Sequence, residues 1–166
     1  RVMHQAADFG SRHFSETHGT GTALGDPIEV GALRVVFESS SDSLDLALGA
    51  LKSRLGHTEG AAGLMGVLKA VQVVQQCCVP PNLHLLKANS KLELDGFAVA
   101  MVSGVVPLVA DRAESGAETA GVSSFGMSGT NAHVALEGSE AQQTAAEQRR
   151  QVVQYHHTAF AWWDTS

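Results

Sequence analysis

Apolar and polar positions alternate along the chain in two rhythms, short continuous apolar runs and longer stripes at helical spacing. Residues 1–10 carry a helical pattern without a cap, and Gly10 ends it. Residues 12–18 form a short strand-like run that enters a glycine-rich turn, Gly19-Thr20-Gly21-Thr22-Ala23-Leu24-Gly25. Asp26-Pro27-Ile28-Glu29 reads as a helix start, with Asp26 at the N-cap, Pro27 at the first helical position and Glu29 three residues after the cap. Ile28, Leu33, Val36 and Phe37 recur on one face, so the pattern predicts an amphipathic helix over 27–38, closed by Ser39-Ser40-Ser41-Asp42. Residues 46–51 form an apolar run of the kind buried on both faces of a parallel sheet.

A second helix is expected over 58–76, with Leu64, Val67, Leu68, Val71 and Val74 as its stripe. Its first turns, Gly60-Ala61-Ala62-Gly63 and Gly66, have almost no side chains, although glycine costs about 1 kcal/mol per residue there against alanine. Close packing against a neighbour is the expected reason. Pro80-Pro81 ends that unit, residues 97–110 supply Val/Ala-rich strands broken at Gly104 and Pro107, and 121–136 read as two strands around a glycine-rich turn. From 138 to 154 the composition shifts to Gln, Glu, Ala and Arg, a solvated helix or linker. The tail 155–163 holds Tyr155, Phe160, Trp162 and Trp163 and is expected to dock on a surface. Strands alternating with helices predict a layered α/β architecture, with one domain over 1–137 and a linker and aromatic tail over 138–166.

Composition narrows the possibilities. Of 166 residues, 44% are hydrophobic and 17% charged, enough apolar content for a core. Eleven basic residues against seventeen acidic ones give a net charge of −6 and no basic stripe, which argues against a nucleic acid or an anionic membrane surface as partner. Lys69 interrupts the longest apolar candidate, so no membrane span is expected. Cys77 and Cys78 are adjacent and cannot build a disulfide framework, which favours a reducing, cytoplasmic compartment. The first residue, Arg1, follows no start signal, and the chain is expected to be a piece of something longer.

Three motifs set unusual residues beside glycine-rich turns: Glu16-Thr17-His18-Gly19-Thr20-Gly21-Thr22, Lys52-Ser53-Arg54-Leu55-Gly56-His57-Thr58-Glu59, and Ser124-Phe125-Gly126-Met127-Ser128-Gly129-Thr130-Asn131-Ala132-His133. Ligands gather outside strand ends in open α/β sheets, so His18, Lys52, His57 and Met127 are expected to converge. With Asp26-Pro27-Ile28-Glu29 and Val79-Pro80-Pro81-Asn82-Leu83-His84, these motifs resemble the carboxyl-terminal half of a β-ketoacyl synthase over residues 12–137, a layered thiolase-like fold. The ketosynthase domains of modular type I polyketide synthases match best.

The resemblance implies a decarboxylative Claisen condensation between an acyl group on a cysteine and a malonyl-type extender. The substrates ride on the phosphopantetheine of an acyl carrier protein, and no cofactor or metal is bound directly. His18 and His57 correspond to the two catalytic histidines, which hold the extender thioester oxygen as neutral N–H donors. Lys52 corresponds to the family's lysine, with Asp26 or Glu29 as carboxylate partners; Glu59 is either a helix cap or a further partner of Lys52. Thr20 and Thr22 fall where hydroxyls hold the phosphopantetheine arm. Met127 stands where fatty-acid synthases carry a phenylalanine gate, and its backbone N–H would serve the acyl-cysteine's oxyanion hole. The family's nucleophilic cysteine motif is absent here. Cys77 and Cys78 lie at the far end of the second helix and are not candidates. The resemblance implies partners: the amino-terminal half of the domain, the acyl carrier protein, and a second copy in a homodimer.

Rival readings fit less well. A dinucleotide-binding turn at residues 19–25 would place the Asp26 carboxylate where a pyrophosphate should sit. A non-elongating scaffold or carrier-binding homologue is the alternative, and the presence of His18 weighs against it. His133 is expected to be a hydrogen-bonded core residue, while His4, His13, His84, His156 and His157 have no zinc-binding spacing and read as surface or linker residues.

Overall fold

The computed structural model describes residues 13–38, 46–108 and 118–138. The expected helix over 1–10, the closing serines after residue 38, the 139–154 linker and the aromatic tail lie outside the described residues, as do His4, His156 and His157.

Among the described residues, seven strands and three α-helices follow in the order β1 (His13–Glu16), α1 (Gly25–Glu38), β2 (Leu46–Gly49), α2 (Lys52–Leu55), α3 (Ala62–Gln76), β3 (Cys78–Val79), β4 (Val99–Met101), β5 (Val106–Pro107), β6 (Thr119–Phe125) and β7 (Asn131–Glu137), with a 3-10 turn at Glu59–Ala61 before α3. The main sheet has the order β4-β2-β1-β6-β7, and β3 pairs with β5 in a small ribbon. Strands β4, β2, β1 and β6 are parallel, and β7 returns antiparallel from β6. Glu16 at the end of β1 is in register with Gly49 of β2 and Val122 of β6, so the chain leaves these strands along one edge.

The central strands β1 and β2 are buried on both faces because residues along the sheet alternate between two apolar clusters. Phe14, Ala47 and Val122 join Ala70, Val73 and Val74 of α3 on one side. Leu46, Leu48 and Val99 meet Val30 of α1 and the loop residues Leu94 and Phe97 on the other. Removing one of these larger side chains from such a core costs about 2–5 kcal/mol.

The helices differ from the pattern in which face they bury. Along α1, Glu29 and Val30 are buried and Leu33 and Phe37 pack on the core, while Ile28 and Val36 are 72% and 64% exposed. In α3 the buried residues are Gly66, Ala70, Val73 and Val74, and Leu64 and Leu68 remain 63% and 52% exposed. Both helices are apolar over more of their circumference than one sheet can cover. The small residues face this sheet because contact is close: a Cβ on Gly66 would lie 2.9 Å from Val122 Cγ1.

The start of α1 also differs. The helix begins at Gly25, whose N–H donates to Thr22 Oγ1 at 3.0 Å, and Asp26 sits within the first turn. Asp26 Oδ1 instead accepts the Gly21 N–H at 3.1 Å.

Candidate active site

Two histidines meet where the chain leaves β1 and β2. The His18 and His57 rings pack edge to face with centroids 5.6 Å apart, close enough for both to reach one substrate oxygen. Phe125, at the end of β6, lies 5.5 Å from the His18 ring on another side. Three of the four parallel strands, β1, β2 and β6, thus lead to a residue at this corner.

The loop carrying His18 is clamped from α1. Glu29 is 5% exposed, and its carboxylate accepts the backbone N–H groups of His18 at 2.7 Å and Gly19 at 3.0 Å. Burial raises the Glu29 pKa, and these two backbone N–H bonds oppose that rise. Thr17 Oγ1 donates to Gly49 O at 2.8 Å and ties the same loop to the end of β2. Gly19 allows the sharp exit: its φ is +48°, and a Cβ there would meet Thr17 Oγ1 at 2.6 Å.

His57 is fixed by the turn that follows it. Its Nδ1 accepts the Glu59 backbone N–H at 3.1 Å, which assigns the ring proton to Nε2. Glu59 therefore acts on His57 through its backbone, with a left-handed φ of 48°. Its side chain is exposed.

The Lys52 ammonium donates to the His18 carbonyl rather than to a carboxylate. Burial lowers its pKa, while the charges of Glu16 and Glu29 raise it. Of the two expected partners, Glu29 thus acts on Lys52 through its field, and Asp26 is engaged with Gly21. Glu16, not singled out in the sequence, is the second carboxylate. His18 has its pKa lowered from 6.5 by burial, then by the charges of Lys52 and His57, against an opposing effect of Asp26. Its Nδ1 is buried without a hydrogen-bond partner.

Met127 does not join the cluster. Its side chain is fully exposed in the β6–β7 turn, and Phe125 occupies the position beside His18. The turn itself closes through Gly126 N–H donating to Thr130 O at 2.6 Å, which carries Met127 outward. Thr22 caps α1, and Thr20 lines an open cleft of about 540 Å³ together with Lys52, Asn82 and His84. Asn82 anchors that cleft by accepting the Ala50 N–H and donating to Leu48 O, both at 2.8 Å. Amide spacing alone gives no signal for such a role.

Other histidines correct the sequence reading. His133 does hydrogen bond, to Ser123 Oγ at 3.1 Å, but from the exposed strand β7 rather than the core. His13 is half-buried in β1, bonded to Thr119 and tilted against the Phe37 ring with centroids 5.8 Å apart, because its strand lies between β2 and β6. Among the described residues no group of three His, Cys, Asp or Glu side chains could hold a metal. No described helix is long and apolar enough to cross a membrane.

This corner brings two histidines and a lysine together at one edge of a layered α/β sheet. Residues 7–86 match the family model described as β-ketoacyl synthase, C-terminal domain. The chain is 41% identical over 128 residues to the highly reducing polyketide synthase Preu1 of Preussia isomera, covering 76% of this chain and 5% of that protein. It is 44% identical over 123 residues to the pikromycin polyketide synthase component PikAIII of Streptomyces venezuelae, covering 74% and 8%. The ketosynthase from module 6 of the bacillaene synthase of Bacillus subtilis 168 superposes with a TM-score of 0.70 at 37% identity, covering 77% of this chain and 22% of that one. The chain belongs to the β-ketoacyl synthase family and corresponds to the carboxyl-terminal half of a polyketide synthase ketosynthase domain. It spans a small fraction of the length of the curated relatives it matches.

Proposed function

We propose that this chain supplies the extender-handling half of a β-ketoacyl synthase, an acyltransferase that joins an acyl-cysteine to a malonyl-type extender. The nucleophilic cysteine comes from the amino-terminal half of the domain, and both substrates arrive on the phosphopantetheine of an acyl carrier protein. The extender's thioester oxygen sits between the His18 and His57 rings. Carbon dioxide leaves with the carboxylate carbon, and the electron pair of the broken bond forms an enolate whose charge rests on that oxygen. Neutral N–H donors favour this step, because they stabilise developing charge without a counter-ion to remove. The enolate carbon attacks the acyl thioester, a carbon–carbon bond forms, and the cysteine thiolate leaves.

The observation that supports this reading above all is the edge-to-face pair of imidazoles, one held as the Nε2–H tautomer by the Glu59 N–H and the other kept uncharged by burial and Lys52. Lys52, pinned on the His18 carbonyl, provides positive potential beside the pair. In this reading Thr20 in the cleft and Thr22 next to it bind the pantetheine arm, and the Met127 N–H serves the acyl group once the amino-terminal half is present. The complete enzyme works as a homodimer in the cytoplasm, where Cys77 and Cys78 remain free thiols.

Reconstitution tests the reading. The 166-residue chain alone is expected to make no carbon–carbon bond from acyl and malonyl carrier substrates, since it lacks an activated thiolate. Adding the amino-terminal half in trans should restore condensation, read by mass spectrometry of the carrier-bound product. Condensation by the chain alone, abolished by Cys77→Ser or Cys78→Ser, would overturn it.

A further inference from the structure

The least expected feature of the fold is a buried ion pair next to the site but outside it. Lys69 Nζ donates to Glu16 Oε2 at 2.5 Å, and the two side chains are 9% and 3% exposed. The other carboxylate oxygen, Glu16 Oε1, accepts the backbone N–H of Leu51 at 2.5 Å. Leu51 immediately precedes Lys52 and stands at the start of α2, the single turn that leads to His57. Glu16 thus joins three elements: its own strand β1, helix α3 through Lys69, and the lysine-bearing turn through Leu51.

The surroundings are shaped for this bracket. A Cβ on Gly49 would come within 2.7 Å of both Glu16 Oε2 and Lys69 Nζ, and one on Gly66 would lie 3.4 Å from Glu16 Cγ. The Lys69 ammonium also lies 5.3 Å from the centre of the Phe14 ring. A charge pair at this depth offers little net stability, because both ions lose their hydration. A purely structural role would be served as well by two apolar side chains.

We propose that Glu16 is the positioning residue for Lys52: one carboxylate oxygen fixes the turn that presents the lysine, and the other is held by Lys69, so two lysines share one buried anion. This inference rests on the proposed role of Lys52 in condensation. Lys69 keeps Glu16 from collapsing onto Lys52, which leaves the Lys52 ammonium free to sit on the His18 carbonyl.

The charged and titratable groups facing Lys52 make the sign of the effect definite. Glu16 on β1 and Glu29 on α1 favour its ammonium form. His18, whose carbonyl Lys52 reaches, faces it from the exit of β1 with the His57 ring packed behind, and Asp26 on α1 lines the same cleft. Across the open cleft stand His84 and Lys87. Lys69 on α3 is bonded to Glu16, and the Arg54 charge on the turn after Lys52 acts on Lys69 in turn. Removing the Glu16 charge should therefore make Lys52 easier to deprotonate. Removing Lys69 should make it harder, since Glu16 then serves Lys52 alone.

The test uses the complete ketosynthase, this chain with its amino-terminal half, as wild type, Glu16→Gln, Lys69→Met and the double variant. Lys52 is titrated by carbon-13 NMR at its Cε, its signal assigned by loss in Lys52→Arg. The expected result is a fall of the Lys52 titration midpoint in Glu16→Gln and a rise in Lys69→Met. Turnover for extender decarboxylation should fall roughly tenfold in Glu16→Gln with KM little changed, the scale of a small displacement of a catalytic group. The double variant removes both buried charges and guards against misfolding of a single one. Its midpoint should lie below wild type. Unchanged midpoints, or shifts of one sign in both single variants, would overturn the proposal. If the midpoints shift as stated but Lys52→Met decarboxylates extender at the wild-type rate, the charge sharing stands and the role assigned to Lys52 falls.

Discussion

The two ends of α3 present opposite chemistry although both hold residues that catalysts use. At the amino-terminal end lie His57, the Glu59 turn and the small residues Gly63 and Gly66, which let the helix approach Ser124 and Val122. At the carboxyl-terminal end Cys77 closes the helix in a left-handed conformation with φ 48°, and Cys78 begins β3. Cys77 Sγ lies 3.6 Å from Val74 O and 3.5 Å from Glu118 Oε1. Burial raises the pKa of both thiols, and Glu118 adds to the rise at Cys77. Carbonyl ends of helices and nearby carboxylates disfavour thiolate, so these cysteines stay protonated. Donors gather at one end and acceptors at the other. Of the two ends, only the first is the positive end of the helix dipole.

Breaking that contrast at its strongest point gives the largest effect. In the complete enzyme, His18→Ala and His57→Ala should each cut extender decarboxylation by about 10²–10³-fold, the scale of losing one oxyanion donor. Self-acylation of the cysteine in the other half should survive better, and Cys77→Ser and Cys78→Ser should leave both steps unchanged. Carbon dioxide release and acyl-enzyme formation, followed separately, check this. Equal loss of both steps in the histidine variants would mean that these residues mainly maintain the fold.

A smaller effect sharpens the electrostatic side. Burial is the first cause of the lowered His18 pKa and Lys52 the second, so Lys52→Met should move the imidazole's titration up toward 6.5, part of the way. Proton NMR of the ring Cε1–H reads it. Stability follows with a definite sign: a histidine whose folded pKa is depressed favours the folded state in its neutral form. Its contribution is whole above pH 6.5 and is lost as pH falls from there through the lower folded value. Lys52→Met should narrow that window of loss, seen as a flatter dependence of the denaturant midpoint on acidification.

Much of this arrangement is legible in the residues because strand ends and turns have local signatures. The run at 121–136 falls on β6 and β7, the glycine turn after His18 leads into α1, Pro80-Pro81 follows the end of β3, and the run at 46–51 starts with β2 but continues two residues past it. The two histidines converge because parallel strands share an exit edge. The faces of α1 and α3 are not legible in the same way. Each helix has apolar residues around most of its girth, and periodicity cannot say which side meets this sheet. Glu16 and Lys69 were hidden for a similar reason. Lys69 looks like an interruption of an apolar run until strand β1 is brought beside α3, 53 residues away in sequence. Glu29 looks like a capping residue, because the backbone N–H groups it accepts lie across a turn that helix statistics do not see.

The smallest intrinsic effect belongs to the face of α3 that this sheet leaves open. Leu64 and Leu68 are one turn apart and more than half exposed, and Ile28 and Val36 are similarly placed on α1. Side chains so exposed contribute little to the chain's own stability, so Leu64→Ser with Leu68→Ser should alter it by no more than about 0.5 kcal/mol per site. If the amino-terminal half covers this face, as the proposed function requires, the same pair of substitutions should weaken association of the two halves. Each buried leucine is then worth about 1.5–3 kcal/mol of lost apolar contact. The isolated chain should also become less prone to aggregate, because contiguous exposed apolar surface drives association. Light scattering of the isolated chain and affinity of the two halves by calorimetry separate the outcomes. Unchanged affinity would place the amino-terminal half on another face of the sheet, and with it the acyl-cysteine that His18 and His57 are held to serve.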